Sequence, residues 1–423
     1  MRLLLLLLGA VAKSAAAGQQ QQQQQPLTAE AVLSSMALVN AYFQRVLPGV
    51  PSKQHAAGVP NNDWTGGVYM QGNLAHFRAS KNSSLLAYAV EWGTQHKWQM
   101  AGYEGCHGTS GCPDNILAGA SYAEIYQLRG SKPEDSAMIS GVRSAVEVAL
   151  ANPCEVATNV TQRKDSDHCW WWVDALFMAL PTFARVGQLA SPSGGAITPA
   201  APSAAAIWDA ARVQHNVTAH GVNATGAKAF GLWSEQDQMF WRDDSYITKK
   251  SRNGKGVFWS RGVGWAFGAM ARTLELLPAS RVSDRVEYTD KLVRMAVRLK
   301  ALQGPDGCWR SSLEDAAQFP QIETSGTSLN VFGLAWGVNH GLLAASDYAA
   351  AAKRGWGCLA GHPSPVGAVA TDGRLGWCQV RTHALTPPWF RLQSHPISTL
   401  HFTFLLPACL LLLKSGRPPA RPC

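Results

Sequence analysis

The stretch Cys169-Trp170-Trp171-Trp172-Val173-Asp174-Ala175-Leu176-Phe177-Met178-Ala179-Leu180 sets one carboxylate inside an apolar run. The run continues to Val186 with apolar residues on every side, which predicts a deeply buried helix over 169–186. A carboxylate there is costly unless it is paired or used. Burial also raises a carboxyl pKa, which keeps a general acid protonated near neutral pH. Two readings of Asp174 follow: an acid/base group, or a cap for a helix over 175–186.

Outward from this run the chain reads as a procession of helices. Apolar residues recur at helical spacing over 29–43, 85–98, 114–128, 134–150, 204–215, 261–277, 288–302, 325–343 and 347–359. Gly130, Pro153, Gly195 and the turn Gly304-Pro305-Asp306-Gly307 punctuate them. Strand-like alternation is scarce; only 239–259, with its aromatics and paired charges, suggests a hairpin-like loop. About ten to twelve helices make an all-α domain. An (α/α)6 barrel, six helix pairs closed on themselves, fits this rhythm. A solenoid of helix pairs is the alternative, but no fixed repeat period is visible.

Composition narrows the class. The 423 residues carry 37 Lys+Arg against 28 Asp+Glu, a net charge of +9, with 46% hydrophobic residues and 16 Trp. A chain this apolar and aromatic is not disordered. The basic excess reads as diffuse, so no nucleic-acid partner is expected. The Leu3–Leu8 run is too short to span a membrane. With Arg2 before it and Ala15-Ala16-Ala17 after it, residues 1–18 read as a signal peptide. Gln19–Gln25 and Pro26 form a low-complexity linker (19–26). The domain then runs over 27–380. The segment 381–423 loses the helical period and reads as an atypical C-terminal tail.

Nine Cys fit no zinc spacing, and an oxidising compartment would allow Cys106–Cys112 and Cys154–Cys169 pairs. Sequons at Asn82, Asn159, Asn216 and Asn223 agree with a secreted glycoprotein. The scattered His residues show no metal-ligand spacing, so no metal is expected.

Three further clusters can carry chemistry. Asp114 opens a helix after a Cys-containing loop, as a second acid or as an N-cap. Trp259 and Trp265 flank Arg261 in Phe258-Trp259-Ser260-Arg261-Gly262-Val263-Gly264-Trp265. Arg offers a fork for a carboxylate, and Trp a face for a sugar ring. Glu323-Thr324-Ser325-Gly326-Thr327 places hydroxyls and amides at a helix start, where anions bind. Asp243 and Asp244 offer a further carboxylate pair, though a solvated turn is the reading preferred for them. By position, Trp64, Trp170, Trp171, Trp172, Trp241, Trp259, Trp265 and Trp336 read as a sugar-stacking surface. Trp92, Trp98, Trp208 and Trp356 read as core.

In this order the clusters resemble glycoside hydrolase family 105 and the related family 88, the unsaturated rhamnogalacturonyl and glucuronyl hydrolases. The similar segments are Trp172–Ala179, Asp243–Tyr246 with Phe258–Trp265, Glu323–Thr327 with Ala335–Asn339, and Asp372–Trp377. The resemblance implies an (α/α)6 barrel. It implies that Asp174 is the general acid/base, with Asp114 beside it. Trp259, Arg261 and Trp265 would hold an unsaturated uronate, with Met178, Tyr69, Thr324 and Thr327 lining the same subsite. It implies no cofactor, and an unsaturated uronyl oligosaccharide as the partner. Two other readings stay open: an (α/α)6 hydrolase of unmodified glycans, and an inactive carbohydrate-binding homologue.

Overall fold

The computed structural model describes residues 27–46, 62–101, 112–151, 169–191, 202–221, 231–360, and 369, 373, 375 and 376. The expected signal peptide, linker and tail, and Cys106, Cys154, Asn159 and Asn223, lie outside the described residues. Among the described residues there are eleven α-helices: α1 Ala29–Val46, α2 Trp64–Ser80, α3 Ser83–Gln95, α4 Pro113–Leu128, α5 Ser140–Ala151, α6 Asp174–Leu189, α7 Ala204–His220, α8 Ser260–Leu276, α9 Val282–Ala301, α10 Thr324–Asn339 and α11 Ala345–Ala360.

The even-numbered helices form an inner ring. α2 packs on α4, α4 on α6, α6 on α8 and α8 on α10. The odd-numbered helices lie outside, each against its inner neighbours. This alternation is the (α/α)6 barrel. The sixth inner position, between α10 and α2, falls outside the described residues.

The two rings bury differently. Outer α3 buries only Leu85, Ala89, Trp92 and Gly93, the stripe of a one-sided helix. Inner α10 buries every residue from Thr324 to Gly337, and inner α2 every residue from Thr65 to His76. Helices sealed on all sides need small residues where neighbours approach. At Gly326 a Cβ would collide with Ser260 Oγ of α8, so the two helix starts meet only because that position is glycine.

A short segment bridges α10 to α1. Thr324 Oγ1 donates to the Gly376 carbonyl at 2.9 Å. Gly373, at φ +88°, lies against the Leu38 carbonyl of α1. A side chain there would meet both an unfavourable backbone and a blocked space. One disulfide not expected from the sequence, Cys308–Cys358, ties the turn before α10 to α11. Cys112 and Cys169 are each disulfide-bonded.

The expected hairpin-like region holds two short strands, β1 Trp233–Ser234 and β2 Met239–Phe240, paired antiparallel, and an isolated bridge Lys250–Gly256. No helix among the described residues is long and apolar enough to cross a membrane.

Candidate active site

Successive inner helices run the same way, so their starts share one end of the barrel. There the chain places Asp63 before α2, Asp114 in the first turn of α4, Asp174 as the first residue of α6, Trp259 and Arg261 at the start of α8, and Glu323 before α10. Five helix N-termini lend this mouth positive partial charge. Burial acts against it by penalising charged carboxylates.

Asp174 is not a cap. Val173 occupies the N-cap position, and the buried Asp174 Oδ1 has no hydrogen-bond partner. Burial raises the Asp174 carboxyl to about 6, while the charges of Arg242 and Arg261 pull it down and Asp243 pushes it up. Asp114 is not a cap either: Cys112 is the N-cap and Pro113 follows it. Burial pushes Asp114 to about 8, and the Asp174 and Asp63 charges add to the rise. The two carboxyls titrate as a coupled set, with Asp114 the firmer holder of a proton.

Asp63 caps α2, accepting from Thr65 N–H at 2.9 Å and Gly66 N–H at 3.1 Å, and burial raises it to about 6. Arg242 is the other group that the sequence reading passed over. Val173 N–H donates to the Arg242 carbonyl at 2.9 Å, which fastens this residue to the start of α6. Its guanidinium pairs with Asp243. Asp243 is therefore a buried ion-pair member that also accepts from Ser245 N–H at 2.9 Å, not the solvated turn expected. Asp243 lies three residues after the end of β2, and only the short β pairing signals that the segment turns inward.

Arg261 is buried, with its guanidinium carbon 4.2 Å from the Trp259 ring centroid. It donates to Ser325 Oγ at 3.2 Å and lies 3.8 Å from Glu323 Oε1. Glu323 caps α10 through Ser325 N–H and Gly326 N–H. Arg261 thus sits over an aromatic face with a carboxylate already within reach.

The structure brings Asp174, Asp114, Trp259 and Arg261 to one mouth. It places the other expected residues elsewhere. Tyr69 points to the outer ring: its hydroxyl donates to Asn40 Oδ1 of α1 at 2.6 Å and its ring stacks on Phe43 at 3.7 Å. Trp265 is sealed beneath the mouth against Phe177 at 4.6 Å, and Met178 is buried in α6. Thr324 and Thr327 are fully buried. Thr324 holds Gly376, and Thr327 Oγ1 donates to the Glu323 carbonyl at 2.7 Å while accepting from Trp309 N–H. These threonines lock loops together.

The Trp reading needs the same correction. Trp170, Trp172, Trp241, Trp259, Trp265 and Trp336 are buried, and only Trp64 and Trp171 of the proposed stacking set are half-buried. Most of the aromatic excess is core. Among the described residues, no group of three or more His, Cys, Asp or Glu is arranged to hold a metal.

An (α/α)6 barrel with two coupled carboxyls at the inner-helix starts and an arginine over a Trp face has the layout of a carbohydrate-active helical barrel. The family comparison makes the assignment specific: the chain belongs to glycosyl hydrolase family 88, whose model matches residues 39–385. It is 32% identical over 248 residues to an unsaturated 3S-rhamnoglycuronyl hydrolase of Alteromonas sp., covering 56% of this chain and 53% of that relative. The chain therefore spans about half the length of that protein. A second hydrolase of the same name, from Formosa agariphila, is 27% identical over 324 residues, covering 75% of this chain and 76% of that one. The solved family 88 structure from Bacteroides vulgatus superposes with a TM-score of 0.69 at 25% identity, covering 91% of this chain and 99% of that one.

Proposed function

We propose that the protein removes a 4,5-unsaturated uronic acid from the non-reducing end of lyase-generated oligosaccharides by hydrating the C4=C5 bond. The observation that supports this most is Asp174: one carboxyl, with an unpartnered oxygen, poised near neutral pH between Arg242 and Arg261. Ordinary glycoside hydrolysis uses two carboxyls flanking the anomeric carbon. Hydration of a vinyl ether needs one group that first gives a proton and then takes one.

In this reading Asp174 in its acid form gives its proton to C4. Positive charge develops at C5 and the ring oxygen. Water adds to C5 and returns a proton to the Asp174 carboxylate. The resulting hemiketal opens, leaving a ketone at C5 and a hemiacetal at C1. The hemiacetal expels the remaining saccharide as an alcohol and becomes an aldehyde. Arg261 receives the uronate carboxylate over the Trp259 face, exchanging its contacts with Ser325 and Glu323 for that ligand. Asp114, raised to about 8, stays uncharged beside Asp174 at neutral pH and adds no repulsion when Asp174 becomes a carboxylate after giving up its proton.

The test is ultraviolet absorbance. Incubation with lyase digests abolishes the absorbance of the conjugated C4=C5 bond if the reading holds. Release of reducing ends from saturated oligosaccharides, with that absorbance untouched, overturns it. The same reading includes export. Three separate disulfide-bonded sites support an oxidising compartment. Exposed Asn82, at the N-cap of α3, supports glycosylation there. A shift in mobility on glycosidase treatment of secreted protein checks it.

A further inference from the structure

Large apolar side chains are exposed at five places among the described residues, and three of the five lie on α9: Val282 (63% exposed), Val286 (64%) and Val297 (50%). Half-buried Val293 stands between them. Steps of 4, 7 and 4 residues return to one side of a helix with about 3.6 residues per turn, so the four valines form a stripe. It is the outer side of the helix. The other side buries Tyr288, Leu292, Met295 and Leu299 against the barrel. Valine is a poor helix former, and on a wet face it has no packing within its own chain to offset that.

The stripe has the same spacing read from either end, with its midpoint between Thr289 and Asp290. Two copies of α9 laid antiparallel about a two-fold axis at that point set Val282 opposite Val297 of the second copy. They set Val286 opposite Val293 of the second copy. One patch then serves on both chains, which is the condition for a closed two-fold interface.

The charges on α9 favour the same arrangement. Glu287 and Asp290, the acids at its surface, lie in the first half of the helix; Arg294, Arg298 and Lys300 lie in the second. Lys291 is buried against Glu287. Arg285, in the acidic half, turns away to donate to the Leu274 and Leu277 carbonyls, and Arg281 pairs with Asp209 and Asp284. Antiparallel copies lay the acidic half of each helix along the basic half of the other and oppose their macrodipoles. Arg294 also holds Asp290 and Glu235, and Arg298 holds Glu314. The charges therefore set orientation, and the valines supply the burial.

We propose that the outer face of α9 is a self-association surface, on which a second copy of this chain docks antiparallel through its own α9. The helix has 20 residues, a length of about 30 Å. One helix pair makes a contact smaller than a standard interface, so the dimer forms in the micromolar range. The stripe contains no residue of the barrel mouth, and pairing leaves turnover unchanged.

Sedimentation velocity across a micromolar concentration series tests this. The wild-type chain should pass from one-chain to two-chain mass. Val286→Glu buries a charge twice per dimer and should weaken association by roughly a hundredfold or more, with melting temperature and turnover at wild type. Val148→Glu, at an exposed valine of α5, should leave association intact. Thr289→Cys lies at the two-fold axis and should give a covalent two-chain species under oxidation that the wild-type chain does not form. A wild-type chain that stays single at every concentration overturns the proposal, and a lower melting temperature for Val286→Glu in that case assigns the valines to contacts within one chain. Association that survives Val286→Glu, that Val148→Glu abolishes equally, or that proceeds without the Thr289→Cys crosslink also overturns it.

Discussion

The two ends of the inner ring carry opposite charges and treat them oppositely. At the helix starts stand Asp63, Asp114 and Asp174. Toward the helix ends stand Arg78 of α2, Arg185 of α6 and Arg272 of α8. Each set matches the helix dipole it faces. Each is also buried enough to resist its charge: the carboxyls are raised, while burial and mutual repulsion bring Arg272 down to about 9. The difference lies in the partners. Arg272 reaches across the ring to Gln71 of α2, Arg185 bonds Gln127 and Glu124, and Arg78 pairs with Glu124. That end is a plug. At the mouth, Asp174 Oδ1 has no partner. An unsatisfied buried oxygen lowers stability and leaves a group free to meet a substrate.

The comparison breaks first at Asp174. Asp174→Asn should lower kcat by about a thousandfold or more, the range of a lost general acid. Its melting temperature should not fall, because no hydrogen bond at Oδ1 is lost. Absorbance turnover and a thermal melt of the same preparation check both halves. A destabilised Asn variant would make Asp174 a structural residue like those at the other end. The reverse experiment is Glu124→Ala. It strands Arg185 and Arg78 without their shared carboxylate and should cost about 3 kcal/mol in denaturant unfolding. KM and kcat at a temperature well below the melt should stay near wild type.

How much of this was legible follows the same division. Outer helices such as α3 and α9 announce themselves because one face is wet and the stripe shows. Inner α2 was passed over: Trp64-Thr65-Gly66-Gly67-Val68-Tyr69-Met70-Gln71-Gly72 has no stripe and three glycines, since it is buried all round. The run around Asp174 was legible because a lone carboxylate among aromatics stands out. Arg242 and Asp63 were not, because their importance lies in which helix start they face, which only closure of the ring decides. The aromatic surplus misled for a related reason. A wide helical barrel needs large buried rings, and buried Trp309 and half-buried Trp208 satisfy their indole N–H on the Leu299 and Ala184 carbonyls.

Asp114 sharpens the contrast through pH. Its carboxyl moves from 3.8 to about 8 on folding. The folded chain therefore binds its proton more tightly than the unfolded chain. The stability this contributes is complete below pH 4 and is lost as pH rises through 8. Asp114→Asn keeps a neutral side chain at every pH. Relative to wild type it should gain several kcal/mol between pH 4 and pH 9, at about 1.4 kcal/mol for each unit of the rise. Denaturant unfolding at the two pH values reads the gain, and equal differences at both would remove Asp114 from the strained set.

The smallest expected effect tests whether the mouth is tuned or merely charged. Arg242 exerts the largest charge effect that pulls Asp174 down, with Arg261 next and Asp243 opposing; Asp114, on which the Asp174 and Asp63 charges act, is the further titratable neighbour. Asp174 must be protonated to begin the proposed reaction, so turnover falls as pH rises above about 6. Removing the Arg242 charge lets Asp174 keep its proton to higher pH. Arg242→Gln should therefore shift the falling limb of the kcat profile upward by about one unit, which is about 1.4 kcal/mol. Arg242→Lys should hold the limb near wild type, because the charge is kept. If both variants lose rate with the limb unmoved, the Arg242 side chain acts by pairing with Asp243 and not by tuning Asp174. The mouth would then be built like the arginine end, by packing and pairing, and Asp174 would owe its poise to burial alone.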